Sequence, residues 1–314
     1  MAHAACNGIE LEYECFGETG QPAILLIQGL GLQLIHWPES LCQALAAQGY
    51  RVIRFDNRDC GLSTHLTQAR RLRMGLAALA YGLHLPFRVP YTLVHMAQDC
   101  LGLLDHLGIQ KAHVVGASMG GMIAQLLAAL YPERVKSLTS LMSTTSSRRL
   151  PWGKPEALRS LFSRPDNSHD PESVVRYLFN IQKIVASPDY PTPDEAREAL
   201  IRQAMARAYY PAGVARHLLA VMAGKDRRRL LGRINCPSLV IHGEADPLLP
   251  LACGRDTAQH IPGAILYTIP GMGHDFAPGL MPIWANAIGE HVRRAEAPDA
   301  SIHLGSDPVS HPSR

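Results

Sequence analysis

The sequence holds no apolar run long enough to cross a bilayer, which takes about 20 residues. Its most apolar stretch, residues 74–87, has the length of a core or interfacial helix and is interrupted by Gly75, Gly82, His84 and Pro86. Neither sign of charge dominates: 30 basic against 27 acidic residues leave a net charge of +3, which gives no ground for a nucleic-acid partner or an anionic membrane surface. The seven cysteines, an odd count scattered at positions 6, 15, 42, 60, 100, 236 and 253, form no CxxC pair and no zinc spacing, and reduced thiols fit best. The first thirty residues carry Glu10, Glu12, Glu14 and Glu18, a pattern foreign to secretory and transit signals, so a cytoplasmic protein is expected. His36, His95, His106, His113, His217 and His242 show no HExxH or comparable spacing, so no metal site is expected, and no internal repeat is visible.

What is present is an ordinary globular composition, 47% hydrophobic and 18% charged, over 314 residues, enough for one large domain or a core carrying an inserted subdomain. Asn7-Gly8 between two strand-like runs predicts an opening hairpin, because this pair accommodates two positive φ angles in a tight turn. Short apolar runs at 23–29, 51–56, 112–118, 137–143, 237–246 and 264–271 read as buried strands, giving eight with the hairpin. The first of these runs alternate with helical segments ending near Gly or Pro, so a doubly wound, mostly parallel sheet is predicted, with reactive loops at the carboxyl ends of its strands. Across 146–232 the strand signal stops, and three amphipathic segments starting at prolines predict a helical insertion. The reading is therefore a core over 1–145 and 233–294, a helical cap over 146–232, a last helix over 280–294, and a disordered tail over 295–314 without apolar period.

The stretch HVVGASMGG, residues 113–121, runs from a strand into glycines around one serine. A dinucleotide loop would need GxGxxG in the first βαβ unit and an acid ending the next strand; here the motif follows the fifth strand and the next one ends LMSTTSS. A nucleophile needs GxSxG on a sharp strand-to-helix turn, which Gly116, Ser118 and Gly120 satisfy, although a serine there can equally be a plain helix N-cap. The decision comes from downstream. HGEADPLLP puts Asp246, and PGMGHDFAP puts His274, just after the two following strands, in the chain order serine, acid, histidine.

With these residues the chain resembles the α/β-hydrolase superfamily and is similar to its aclacinomycin methylesterase-like serine esterases over about residues 8–294. The resemblance implies Ser118 as nucleophile, His274 as base and Asp246 as acid, with the insertion as a lid. The oxyanion-binding amides would be those of Leu30 and Met119, where the family's usual His-Gly after the third strand reads Gln28-Gly29. FDNRDCGLST, residues 55–64, is similar to a bracing turn in which Asp56, Arg58 and Gly61 support the pocket and Cys60 packs. Tyr209 and Tyr210 are candidate pocket-lining residues. The reaction implied is hydrolysis of small to medium, largely apolar esters through an acyl-enzyme, with no cofactor and a small-molecule ester as substrate. Perhydrolase or haloperoxidase chemistry, lactone hydrolysis, and a ligand-binding member of the fold without turnover are the alternatives.

Overall fold

Residues 23–27 read AILLI, and every side chain in the run is buried. A strand with two apolar faces lies inside a sheet covered on both sides, and this one sits in the middle of eight. The computed structural model describes residues 2–67, 74–83 and 85–297. Its strands are β1 (Ala2–Cys6), β2 (Ile9–Phe16), β3 (Ala23–Ile27), β4 (Arg51–Phe55), β5 (Ala112–Ala117), β6 (Val135–Leu141), β7 (Ser238–Gly243) and β8 (Ile265–Ile269). They pair in the order β1-β2-β4-β3-β5-β6-β7-β8. β2 runs antiparallel to both neighbours, as the hairpin at Asn7-Gly8 requires, and β4 through β8 are parallel. The expected α/β-hydrolase architecture, a mostly parallel eight-stranded sheet flanked by helices, is the architecture observed.

The helices are α1 (Glu39–Ala46), α2 (Met74–Gly82), α3 (Leu93–His106), α4 (Met119–Leu130), α5 (Pro155–Ser160), α6 (Pro171–Ile184), α7 (Asp194–Arg207), α8 (Pro211–Met222), α9 (Arg228–Leu231), α10 (Leu251–His260) and α11 (Met281–Glu296). Alternate residues of the central strands divide two cores between them. Leu25, Ile27, Val114 and Leu138 pack towards α3 and α4. Ile24, Leu26, Val115 and Leu141 pack towards α1 and α11, where Trp37, Phe276 and Trp284 meet edge to face at ring separations of 5.0 and 5.4 Å. Each fully buried side chain of this size contributes about 1.5–3 kcal/mol relative to exposure.

Three sequence expectations shift. Helix α10 was not anticipated, because the residues it buries are Cys253, Gly254 and Thr257 rather than large apolar ones, and Gly254 sits against the His242 ring where a Cβ would meet it at 2.6 Å. The insertion boundary at 232 falls too late: α9 packs on α4 and α10, and Leu231 and Ile234 join the sheet's own core. The last helix runs to Glu296, past the expected start of the tail at 295. The carboxylate of Glu296 holds the Nε2 of the buried His113 at 2.8 Å and the ammonium of Lys136 at 2.6 Å, and this gives the final turn partners. From residue 298 on, the expected tail lies outside the described residues. No described helix is long and apolar enough to cross a membrane.

Burial also sets an acid limit. His36, His217 and His291 are all buried, and burial pushes each imidazole down to about 4. A group whose folded pKa lies below its unfolded value of roughly 6.5 takes up a proton on unfolding, so its stabilising contribution is whole above that value and is lost as pH falls towards 4. Each of the three is expected to remove about 1.4 kcal/mol of stability per pH unit within that window. Denaturant unfolding at several pH values between 4 and 7 measures the slope, and His291→Gln should flatten it by about one proton's worth. An unchanged slope in that variant would show that His291 is not buried neutral.

Candidate active site

The run VVGASMGG bends from β5 into α4 at one residue. Ser118 has φ 56° and ψ −117°, in the left-handed half of backbone space that residues with side chains avoid. Its amide donates to Leu141 O on β6 at 2.9 Å, and its carbonyl accepts from the Ser143 hydroxyl at 2.7 Å and from Met122 N at 3.2 Å. The glycines make the bend sterically possible. A Cβ on Gly120 would lie 2.0 Å from Ile27 O at the end of β3, and one on Gly116 would lie 2.1 Å from Gly120 O.

Ser118 occupies the N-cap position of α4, yet its hydroxyl caps nothing. It meets His274 Nε2 at 2.9 Å instead. His274 Nδ1 lies 2.7 Å from Asp246 Oδ2, and Asp246 Oδ1 accepts the amides of Leu248 and Leu249 at 2.9 and 2.8 Å. A carboxylate only accepts, so Nδ1 carries the ring proton and Nε2 is free to accept the serine proton. Asp246 and the His274 side chain are almost wholly shielded from solvent, 0% and 8% exposed. β7 ends at Gly243 and β8 at Ile269, so both residues stand in the turns just past their strands. His242 Nε2 lies 3.7 Å from Asp246 Oδ2, and burial lowers that imidazole's pKa, so it donates to Leu249 O at 2.7 Å as a neutral ring.

The two amides singled out in the sequence are both available. Neither Leu30 N nor Met119 N donates to a partner among the described residues. Gly29 lies against Ser118, a Cβ built there standing 3.4 Å from the serine Cβ, so the Gln28-Gly29-Leu30 turn borders the hydroxyl. Gln28 is fully buried; its carbonyl accepts from Asn57 at 3.0 Å and its Oε1 from Gly29 N at 2.8 Å. The bracing turn also takes shape. Asp56 accepts the amides of Leu34 at 2.6 Å and Leu62 at 2.9 Å, Arg58 forks onto Asp99, and Cys60 Sγ points to Leu32 O, its thiol pushed up by burial. Tyr210 stacks on His65 at 4.0 Å, and its hydroxyl accepts from Arg216 at 2.9 Å.

Sequence reasoning missed the residues through which the insertion holds these loops. His217 on α8 is fully buried, accepts Gly31 N through Nδ1 at 3.2 Å and donates Nε2–H to Arg58 O at 2.7 Å, tying the Leu30 turn to the bracing turn. Arg207 at the end of α7 reaches Asp56 at 2.6 Å and Gln33 at 2.8 Å, while Gln33 in turn caps the α7 carbonyls of Ala204 and Ala208. Arg216 forks onto Asp59 at 2.8 and 2.7 Å. The two acids respond differently: burial holds the Asp56 carboxyl above its usual range despite Arg207, whereas at Asp59 the burial effect is outweighed by the Arg216 fork and the carboxyl stays below it. Past α6, Val185 O accepts His274 N at 2.8 Å and Ser187 Oγ accepts Gly273 N at 2.8 Å, with the Ser187 hydroxyl donating to Asp275 at 2.5 Å. These partners lie 80 to 190 residues apart, and no local pattern announces them.

Residues 22–277 match the model of the alpha/beta hydrolase fold family, and the chain belongs to that family. It is similar to the rhodomycin D methylesterase DnrP of Streptomyces peucetius, 28% identical over 91% of this chain and 96% of that one. It is also similar to 3-oxoadipate enol-lactonase 2 of Acinetobacter baylyi, 27% identical over 81% and 82%. Among solved structures, the enol-lactonase of Burkholderia xenovorans superposes with a TM-score of 0.71 at 24% identity, covering 93% of this chain and all of that one.

The bend at Ser118 yields a direct test. Gly120→Ala should lower stability by about 1–3 kcal/mol through overpacking against the end of β3 and should reduce labelling of Ser118 by a fluorophosphonate. Thermal melting and labelling rate measure the two effects; a variant that matches wild type in both would show that the close passage at Gly120 is not a constraint.

Proposed function

We propose that the chain is a serine carboxylesterase that hydrolyses small to medium, largely apolar esters. The observation that carries the reading is the Ser118 hydroxyl, withdrawn from its helix and hydrogen-bonded to an imidazole whose far nitrogen donates to a buried carboxylate. In the first step His274 Nε2 takes the Ser118 proton as Oγ adds to the ester carbonyl, and Asp246 stabilises the resulting imidazolium. The amides of Leu30 and Met119 receive the negative charge on the carbonyl oxygen. Collapse expels the alcohol, which leaves with the proton held by His274. Water then gives a proton to the same nitrogen, its oxygen attacks the acyl-enzyme, and the acid leaves as Ser118 Oγ recovers its proton. The relatives named as methylesterases and as an enol-lactonase support ester bonds, open or cyclic, as the substrate class. The seven free cysteines suit a reducing, cytoplasmic setting.

Ser118→Ala is expected to remain folded, lose fluorophosphonate labelling, and hydrolyse an aryl ester roughly 10⁴- to 10⁶-fold more slowly. Asp246→Asn should cost roughly 10⁴-fold, since the imidazole loses the partner that fixes its tautomer. Steady-state rates and labelling decide it. Turnover near wild type in Ser118→Ala would end the assignment, and a wild type that labels no faster than a surface serine would mark a binding protein instead.

In the same reading, the helices between β6 and β7 form a lid that also holds the oxyanion turn, with His217 as the positioning residue. His217→Ala should lower kcat about 10- to 100-fold with little change in KM, the size of effect expected when a catalytic group is displaced by about an ångström. His217→Gln keeps one acceptor for Gly31 and one donor for Arg58, and should recover most of the rate. Equal losses in kcat for both variants would mean that His217 contributes bulk alone.

A further inference from the structure

Leu76, Leu79 and Leu83 recur at helical spacing along α2 and the turn that follows, which places them on one face. They are 60%, 59% and 58% exposed, and Leu85 adds a fourth exposed leucine. Of the whole helix only Ala77 is buried, so the segment that could have been a core helix is not one. Single exposed leucines need no explanation, but four within ten residues of a helix packed on α8 mark an interaction surface.

The surrounding charge selects what covers it. Residues 74–98, which include α2, contain no Asp or Glu, and residues 199–225, which include α8, contain no acid either. The net charge of +3 hides this segregation. Arg148 stacks on the Tyr81 ring of α2 at 4.5 Å without an ion pair among the described residues, and Arg88 is exposed. A second copy seated on this face would bring Arg88 and Arg148 towards their own counterparts, with no acid on α2 or α8 to meet them. An anionic lipid surface offers both what the leucines lack and what the arginines lack. α2 has nine residues, far short of the roughly 20 needed to span, so on a bilayer it would lie along the surface rather than cross it. The face also borders the site: Val214 of α8, itself partly exposed, packs over Gly31, where a Cβ would stand 3.0 Å from a valine methyl.

We infer that α2 with Leu83 and Leu85 docks the protein on anionic phospholipid surfaces, the leucines entering the headgroup boundary and Arg88 and Arg148 facing the phosphates. This binding does not depend on ester chemistry, so either reading can fail alone. Flotation with phosphatidylcholine vesicles, with and without phosphatidylglycerol, tests it. Wild type should bind the anionic vesicles about tenfold or more tightly than the neutral ones and be released by high salt. The triple variant Leu76→Ser, Leu79→Ser, Leu83→Ser should lose about tenfold or more of that binding while its melting temperature and its rate on a short, water-soluble ester stay unchanged. Should the triple variant fold poorly, Arg148→Glu should weaken the same binding. Equal binding to both vesicles, no binding by wild type, or a wild-type dimer that becomes monomeric in the triple variant would each overturn the inference, the last by showing that a second copy covers the face.

Discussion

A φ of 56° at Ser118 costs about 1–3 kcal/mol, and the structure holds it there by closing three strands around one bend. β6 accepts its amide, the Ser143 hydroxyl just past β6 grips its carbonyl, and the end of β3 presses against Gly120. The parallel register of β3, β5 and β6 is therefore the condition for the hydroxyl to stand away from α4. Helix formers at 116 and 120 would favour regular backbone and lose the approach. β7 and β8 then need only end where they do for Asp246 and His274 to arrive at that hydroxyl.

Arginines tie the insertion to the sheet. Arg207 on Asp56, Arg216 on Asp59, and Arg227 on Gln125 and Thr144 O each bury a cation against a group of the core. Such pairs add little net stability over an apolar contact, but removal of one partner leaves an uncompensated charge inside, so they penalise every other way of seating the helices. Their positions matter because Asp56 also holds the amides of Leu34 and Leu62, and His217 holds Gly31. Seating of α7 and α8 and the shape of the turn beside Ser118 are one structural event.

The strands were legible because period-2 or continuous apolar runs between glycines and prolines carry their own signal, and Ser118, Asp246 and His274 were legible as candidates because each stands immediately after such a run. The choice between an N-cap serine and a nucleophile was open at Ser118 itself and depends on where a ring 156 residues away comes to rest. Helix α10 escaped because small residues pack its buried face, and the role of His217 escaped because a lone histidine on an amphipathic helix looks the same whether it binds a loop or fills a core. Charge segregation around α2 was present in the sequence throughout, but a net sum averages it away.

The sheet order has a consequence for the chain as it is made. Ser118 and its bend are complete once β3, β5 and β6 have paired, but β7 and β8, with Asp246 and His274, come some hundred residues later. During synthesis β6 is the open edge of a growing sheet until β7 arrives, and an unpaired edge is a template for wrong strands. Until then Ser118 has no imidazole beside its hydroxyl, because the ring of His274 has not yet left the ribosome.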